Sequence, residues 1–142
     1  MNKKSKLYLM IERIIKEEKT APVLFKSKLD QKEFTELYTR HPNLCANILK
    51  IKELLQNENL FGQIQMMSFD AIQIEPKTPT HGKYDGMQII FDFKTEQYEV
   101  SEYQAGPDEN ELHIFTDTKN YKEAIKSLLL GNKNRTPIRI YK

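Results

Sequence analysis

Asp92 and Lys94 enclose a single residue at the end of an apolar stretch, and Asp70 and Asp85 lie upstream of them. Carboxylates can hold Mg²⁺, and a nearby lysine can position or activate a water molecule for hydrolysis. The same acid-to-lysine spacing recurs elsewhere in the chain, beginning at Glu17, Asp30, Glu75 and Asp117. Because this composition produces the spacing by chance, we expect no bound metal and no cofactor.

The same residues carry a limited resemblance to a known family. In outline, Asp92, Phe93 and Lys94 resemble the D-x-K segment of metal-dependent PD-(D/E)xK nucleases, with Asp70 or Asp85 as the further carboxylate. The likeness covers three or four residues, and the family's Pro-Asp pair is missing at Asp70. It implies one alternative function, which is metal-dependent cleavage of nucleic acid by Asp92 and Lys94.

Cysteine and histidine offer no stronger catalytic pattern. His41 and Cys45 are four positions apart, but Pro42 lies between them and the sequence contains no second His/Cys pair. We expect Cys45 to be a small buried thiol and His113 to be an ordinary strand histidine. The sequence therefore predicts a protein that is not an enzyme.

Helices are predicted throughout the N-terminal part of the chain. Apolar residues at helical intervals predict a first helix over residues 5–18, and the capping-box spacing that begins at Asp30 predicts a second, which ends near His41. Asn43 can cap a third helix. The buried face of that helix is marked by apolar residues at helical spacing: Leu44, Ile48, Ile51 and Leu55.

From Gly62 onward the period of the apolar residues changes to two, which is typical of β-strands. One or two strands reach Pro76, and a slip of phase near Ser68 predicts a bulge. Residues 87–101 have the alternation of a β-hairpin that turns at 94–97.

A further strand is predicted over residues 112–116, followed by a helix that Asp117 or Thr118 caps and Gly131 ends. Residues 137–141 read as a terminal strand. The predicted fold is therefore α+β, with N-terminal helices followed by a mainly antiparallel β-meander, then one helix and a C-terminal strand.

Composition indicates how many domains to expect and where in the cell the protein is located. With 142 residues, 39% of them apolar, the chain is expected to form a single globular domain over residues 1–142. Its apolar runs are far shorter than the roughly 20 residues that cross a bilayer. Its lone cysteine, Cys45, cannot form an internal disulfide. We expect a cytoplasmic protein without a membrane partner.

Charge is distributed unevenly along the second half of the chain. Residues 85–117 contain nine carboxylates and one lysine, whereas residues 118–142 contain seven cations and one carboxylate. The two blocks either neutralise each other within the fold or leave an acidic surface that attracts a basic partner. The sequence leaves both alternatives open.

We take the second alternative as the working hypothesis. It predicts a non-catalytic protein-interaction module, similar in size and charge to small immunity or inhibitor proteins of bacterial toxin systems, which masks a basic partner such as a nuclease. Tyr103 and Phe115 are expected to point outward among the carboxylates, whereas Tyr141 is expected to face the core. The predicted partner-binding residues are Asp92, Glu96, Glu99, Glu102, Tyr103, Asp108, Glu109, Glu111 and Phe115.

The basic C-terminus supports a second alternative. Lys133, Arg135 and Arg139 could meet phosphates while Tyr141 stacks on a base. These cations are few, and the neighbouring acidic block would repel nucleic acid. We therefore expect a protein partner and not a nucleic acid.

Overall fold

The computed structural model describes four stretches of the chain, residues 21–68, 71–77, 86–105 and 110–142. The helix predicted over residues 5–18 and the predicted site residues Asp108 and Glu109 lie outside these stretches. Contacts between Cα atoms divide the chain into two compact units, which are Met1–Cys45 and Ala46–Lys142.

Helix α1 of the first unit spans Lys28–Arg40. Its N-cap is Ser27, whose hydroxyl accepts a hydrogen bond from the backbone N–H of Asp30 at 3.3 Å. The predicted cap at Asp30 is therefore wrong by three positions. The Asp30 carboxylate lies in the first helical turn instead, where the partial positive charge of the helix N-terminus favours it.

Helix α2 spans Pro42–Asn57 and contains the boundary between the two units. Proline suits the first turn of a helix because the backbone N–H that it lacks has no partner there. The helix therefore begins before Asn43, which was predicted to be its cap. Three of the four residues of its predicted apolar stripe, Ile48, Ile51 and Leu55, are buried, and Leu44 is half-buried.

The described part of the second unit contains one six-stranded sheet, in which each strand pairs antiparallel with its neighbours in sequence. The strands are β1 (Phe61–Ser68), β2 (Ala71–Pro76), β3 (Met87–Asp92), β4 (Gln97–Ala105), β5 (Asn110–Thr118) and β6 (Arg139–Tyr141). Helix α3 (Tyr121–Leu130) connects β5 to β6. This order confirms the predicted α+β fold. No helix among the described residues has an apolar stretch long enough to cross a membrane.

Strand β1 contains two extra residues relative to β2, at Gly62 and at Met67. The second of these irregularities confirms the bulge predicted near Ser68. At Gly62 the backbone lies so close to β2 that a Cβ atom would be 2.8 Å from the carbonyl oxygens of Glu75 and Pro76. Only glycine fits there without a shift of the backbone.

Most of the fully buried apolar side chains of the sheet lie on one of its faces. Two cross-strand rows of apolar side chains on this face are fully buried, Ile72, Phe91 and Tyr98 in one and Ile74, Ile89 and Val100 in the other. Helix α3 covers this face. Thr116 lies opposite Val100 on it, and the hydroxyl of Thr116 is 2.6 Å from the hydroxyl of Ser127 on the helix. Ala124 and Leu128 of α3 are buried as well.

A third extra residue interrupts the pairing of β4 with β5. Val100 pairs with Thr116 and Ser101 pairs with Ile114, so Phe115 has no opposite residue on β4. The alternation of side chains between the two faces therefore breaks at Phe115, and this residue is only 7% exposed. The expectation that Phe115 points outward is wrong, because it assumed unbroken alternation along β5.

Polar side chains cap the N-terminal end of α3, and a glycine ends the helix. Asn120 is its N-cap and accepts from the N–H of Lys122 at 2.9 Å, whereas Thr118 accepts from the N–H of Asn120 at 3.0 Å. The cap predicted at Asp117 or Thr118 is therefore two or three positions early. Gly131 ends the helix as predicted, with a φ of 73°, which favours glycine.

Arg135 ties the C-terminal end of α3 to the sheet. Its guanidinium donates to the carbonyl oxygens of Ser127 at 2.9 Å and Gly131 at 2.7 Å, and to the hydroxyls of Thr116 at 3.1 Å and Ser127 at 2.8 Å. It also lies 5.2 Å from the centre of the Phe115 ring. Burial lowers the pKa of this guanidinium. These hydrogen bonds compensate for that burial.

Replacing Arg135 with alanine should lower the free energy of unfolding by about 2–4 kcal/mol, since it removes charge-assisted hydrogen bonds and leaves helix carbonyls without a donor. Urea denaturation followed by circular dichroism measures this change. Lys133→Ala, at an exposed position nearby, is the control and should change stability by less than about 0.5 kcal/mol. Equal stability of the two variants would contradict the structural role of Arg135.

Candidate interaction surface

The face of the sheet opposite α3 carries an ion-pair cluster centred on Arg139. Pairing of β6 with β5 places Arg139 opposite Ile114. From there its guanidinium donates to both carboxylate oxygens of Asp117, at 2.5 and 3.0 Å, and lies 3.7 Å from the carboxylate of Glu99. This bidentate geometry is the strong form of an arginine–carboxylate pair.

Glu99 is the carboxylate that this cluster neutralises least. It lies opposite Asp117 in the sheet, and its side chain is 21% exposed. Burial raises the pKa of Glu99, and the negative charges of Asp117 and Asp92 raise it further, against an opposing effect of Arg139. The pKa of Arg139 is raised as well, chiefly by its hydrogen bond to Asp117. Arg139 is thus engaged mainly by Asp117, and its 3.7 Å contact with Glu99 does not offset the factors that raise the pKa of that carboxylate.

Exposed aromatic side chains border this cluster. Tyr103, Leu112 and Tyr141 occupy directly opposite positions on β4, β5 and β6, and therefore share one face of the sheet. Tyr103 is 54% exposed and Tyr141 is 48% exposed. Tyr103 lies on the same face as Glu99 because the two are four positions apart on β4, where the pairing adds no residue to that strand.

Tyr141 is also part of the ion-pair cluster. Its hydroxyl accepts a hydrogen bond from Nε of Arg139 at 2.7 Å, and the guanidinium carbon lies 5.3 Å from the centre of its ring. We call the six residues of this region the aromatic–acidic face: Glu99, Tyr103, Leu112, Asp117, Arg139 and Tyr141.

Two of the predicted site residues lie on the other face of the sheet. Glu102 lies opposite His113 and accepts a hydrogen bond from the amide of Asn132. Glu111 lies 2.9 Å from His113. The described carboxylates of the acidic block therefore do not gather on a single surface, because residues separated by an odd number of positions on a strand point to opposite faces.

Asp92 is the last residue of β3, and Glu96 lies in the turn between β3 and β4. One carboxylate oxygen of Asp92 accepts from the backbone N–H of Lys94 at 2.7 Å and of Thr95 at 3.4 Å, which caps this turn. Glu96 is exposed and has a φ of 59°. Among the described residues, no three His, Cys, Asp or Glu side chains are arranged to hold a metal ion. The acid-x-Lys spacing at Asp92 thus has a structural explanation in turn formation.

Other reactive or basic residues also have internal roles. Cys45 is fully buried, and burial raises the pKa of its thiol to about 12. The thiol is therefore protonated at neutral pH and a poor nucleophile. Arg135 and Arg139, two of the cations considered for nucleic-acid binding, donate to groups within the second unit.

Arg139 and Tyr141 belong to this face but were not predicted as partner-binding residues. Tyr141 was expected to face the core, but it is half exposed. A usable signal was present, because Arg139 and Tyr141 are two positions apart in a predicted strand and must share a face. The contact of Arg139 with Asp117 could not be predicted from the sequence, since it depends on the extra residue at Phe115.

Comparison of the chain with protein-family models, with curated proteins and with solved structures finds no match. The function is therefore inferred from the aromatic–acidic face itself. Exposed tyrosines beside an arginine are the side chains most enriched at the energetic centres of protein interfaces.

Replacing Glu99 with glutamine should stabilise the fold at neutral pH. Because the pKa of Glu99 is raised in the folded state, folding favours its protonated form, and stability falls as pH rises from its ordinary value through the raised one. The neutral amide removes this cost. The variant should therefore gain stability at pH 7, and the gain should vanish below the ordinary carboxylate range.

Urea denaturation at a series of pH values measures this difference. Glu53→Gln, at an exposed position of α2, is the matched control and should lack the pH-dependent gain. If Glu99→Gln is less stable than the natural chain at pH 7, the ion pair with Arg139 outweighs burial, and our assignment of the electrostatic balance is wrong.

Proposed function

We propose that the chain is a non-catalytic protein-interaction module that binds a basic protein partner through the aromatic–acidic face. The main support is the exposure of Tyr103 and Tyr141 beside a cluster in which carboxylates outnumber cations. Tyrosine contributes a large contact area at a low entropic cost, and its hydroxyl remains available for hydrogen bonding. This proposal replaces the broad acidic surface inferred from charge counting with a smaller face.

The preference for a basic partner follows from the state of Glu99. Arg139 is held by both carboxylate oxygens of Asp117, and Asp92 adds a further negative charge near Glu99. A lysine or arginine of the partner placed against Glu99 would supply a second cation and lower the pKa of its carboxylate. Such pairs increase association rates and reject acidic competitors.

One class of partner fits this chemistry best. Nuclease domains bind phosphates through lysine and arginine side chains, and the same side chains could pair with Glu99 and Asp117. We therefore propose more specifically that the chain is an immunity or inhibitor protein that neutralises a cationic bacterial toxin in the cytoplasm. Its support is the size and charge of the chain together with the aromatic–acidic face.

Replacing Tyr103 with serine should weaken partner binding at least tenfold, because interface tyrosines of this kind contribute about 2 kcal/mol or more. The partner is first captured on immobilised protein from a lysate of the source cells. It is then identified, purified and titrated by calorimetry. Tyr103 is 54% exposed, so its replacement should leave the circular-dichroism spectrum unchanged.

Leu130→Ser is the matched control, because Leu130 is also exposed but belongs to α3, which covers the opposite face of the sheet. It should bind the partner with unchanged affinity. Glu99→Lys should weaken binding, and more so at low salt, since it replaces an attraction by a repulsion. An acidic partner, or equal affinity of Tyr103→Ser and the natural chain, would refute the proposal.

A further inference from the structure

The two edges of the described sheet differ in how well they are protected against pairing with a further strand. The β1 edge is irregular, because the extra residues at Gly62 and Met67 break its pairing with β2. Bulges of this kind discourage a further strand from pairing with an edge. Strand β6, at the other edge, pairs with β5 in continuous register from Arg139 to Tyr141. The β6 edge therefore lacks this form of protection.

The side chains of the β6 edge are largely apolar and exposed. Ile138 is 58% exposed, Ile140 is 46% exposed and Tyr141 is 48% exposed. Charged side chains usually protect edge strands, but the guanidinium of Arg139 is held by Asp117 on the sheet face. The charge within this strand is thus neutralised by its own fold.

We propose that two copies of the chain pair along β6, antiparallel and centred on Ile140. This register places Ile140 opposite Ile140 of the partner subunit on one face of the combined sheet. On the other face, Arg139 lies opposite Tyr141 of the partner subunit. The two six-stranded sheets become one continuous sheet with a two-fold axis between the β6 strands.

A second copy fits this edge because the sequence Arg139-Ile140-Tyr141 is complementary to itself when antiparallel. Isoleucine meets isoleucine at the centre, and on each side the aliphatic stem of Arg139, whose guanidinium is held by Asp117, meets the ring of Tyr141 of the partner subunit. The formal net charge of +2 per chain opposes association only weakly.

Disulfide trapping tests this register directly. In Ile140→Cys the two introduced thiols would face each other across the two-fold axis, with Cβ atoms about 5 Å apart, within reach of a disulfide after a small adjustment. The natural thiol, Cys45, is fully buried and should not react. Oxidation should therefore convert Ile140→Cys almost completely to a covalent dimer.

Ile138→Cys is the control for this experiment. In the proposed register Ile138 lies opposite Lys142 of the partner subunit, so the two introduced thiols are too far apart to bond. The Ile138→Cys variant should remain monomeric on a denaturing gel after the same oxidation. Equal cross-linking of the two cysteine variants would show random collision and overturn the proposed pairing.

Sedimentation of the natural chain provides an independent test. The average mass should rise with concentration toward that of a dimer, and Ile140→Lys should shift the dissociation constant at least tenfold. Leu54→Lys, at an exposed position of α2, should leave it unchanged. A natural chain that stays monomeric at millimolar concentration, or a dimer that tolerates Ile140→Lys, would overturn the proposal. Tyr103 and Glu99 lie outside the paired strand, so loss of partner binding in their variants is measured separately from dimerisation.

Discussion

The arrangement of the second unit depends on one extra residue in β5. Phe115 has no opposite residue on β4, so the faces of β5 exchange between Ile114 and Thr116. With unbroken pairing, Ile114 and its β6 neighbour Arg139 would point to the face that α3 covers. The insertion instead puts Arg139 on the face where Asp117 and Glu99 lie, and the ion-pair cluster becomes possible.

The same insertion connects the core with the C-terminal segment. Phe115 turns inward, and its ring contacts the guanidinium of Arg135, which also donates to Thr116 and to carbonyl oxygens at the end of α3. The two arginines of this segment thus have different roles. Arg135 fastens α3 to β5 on one face, whereas Arg139 fastens β6 to β5 on the other. The position of Arg139 is a consequence of the change of face at Phe115, whereas the hydrogen bonds of Arg135 run to Thr116 and to the end of α3.

Local patterns predicted much of the fold because they report on short-range geometry. The stripe of Ile48, Ile51 and Leu55 marks α2, and alternation marks the β3–β4 hairpin, in which Ile89 and Val100 are indeed opposite and buried. The caps at Ser27 and Asn120 were missed because several neighbouring polar residues can cap a helix, and tertiary contacts decide among them. The bulge in β1 was visible as a slip of phase, whereas the one at Phe115 was not.

The candidate site was less predictable, because net charge along a chain does not show which charges meet. Residues 85–117 and 118–142 have opposite signs, but only strand pairing determines that Arg139 reaches Asp117 and Glu99. Glu102, within the same acidic block, points to the other face and accepts from Asn132. A partner responds to the field that remains after such pairs form. At this face Arg139 is held by Asp117, and Glu99 keeps a raised pKa because it is partly buried beside Asp117 and Asp92, so the count over the block does not describe the charge of the face.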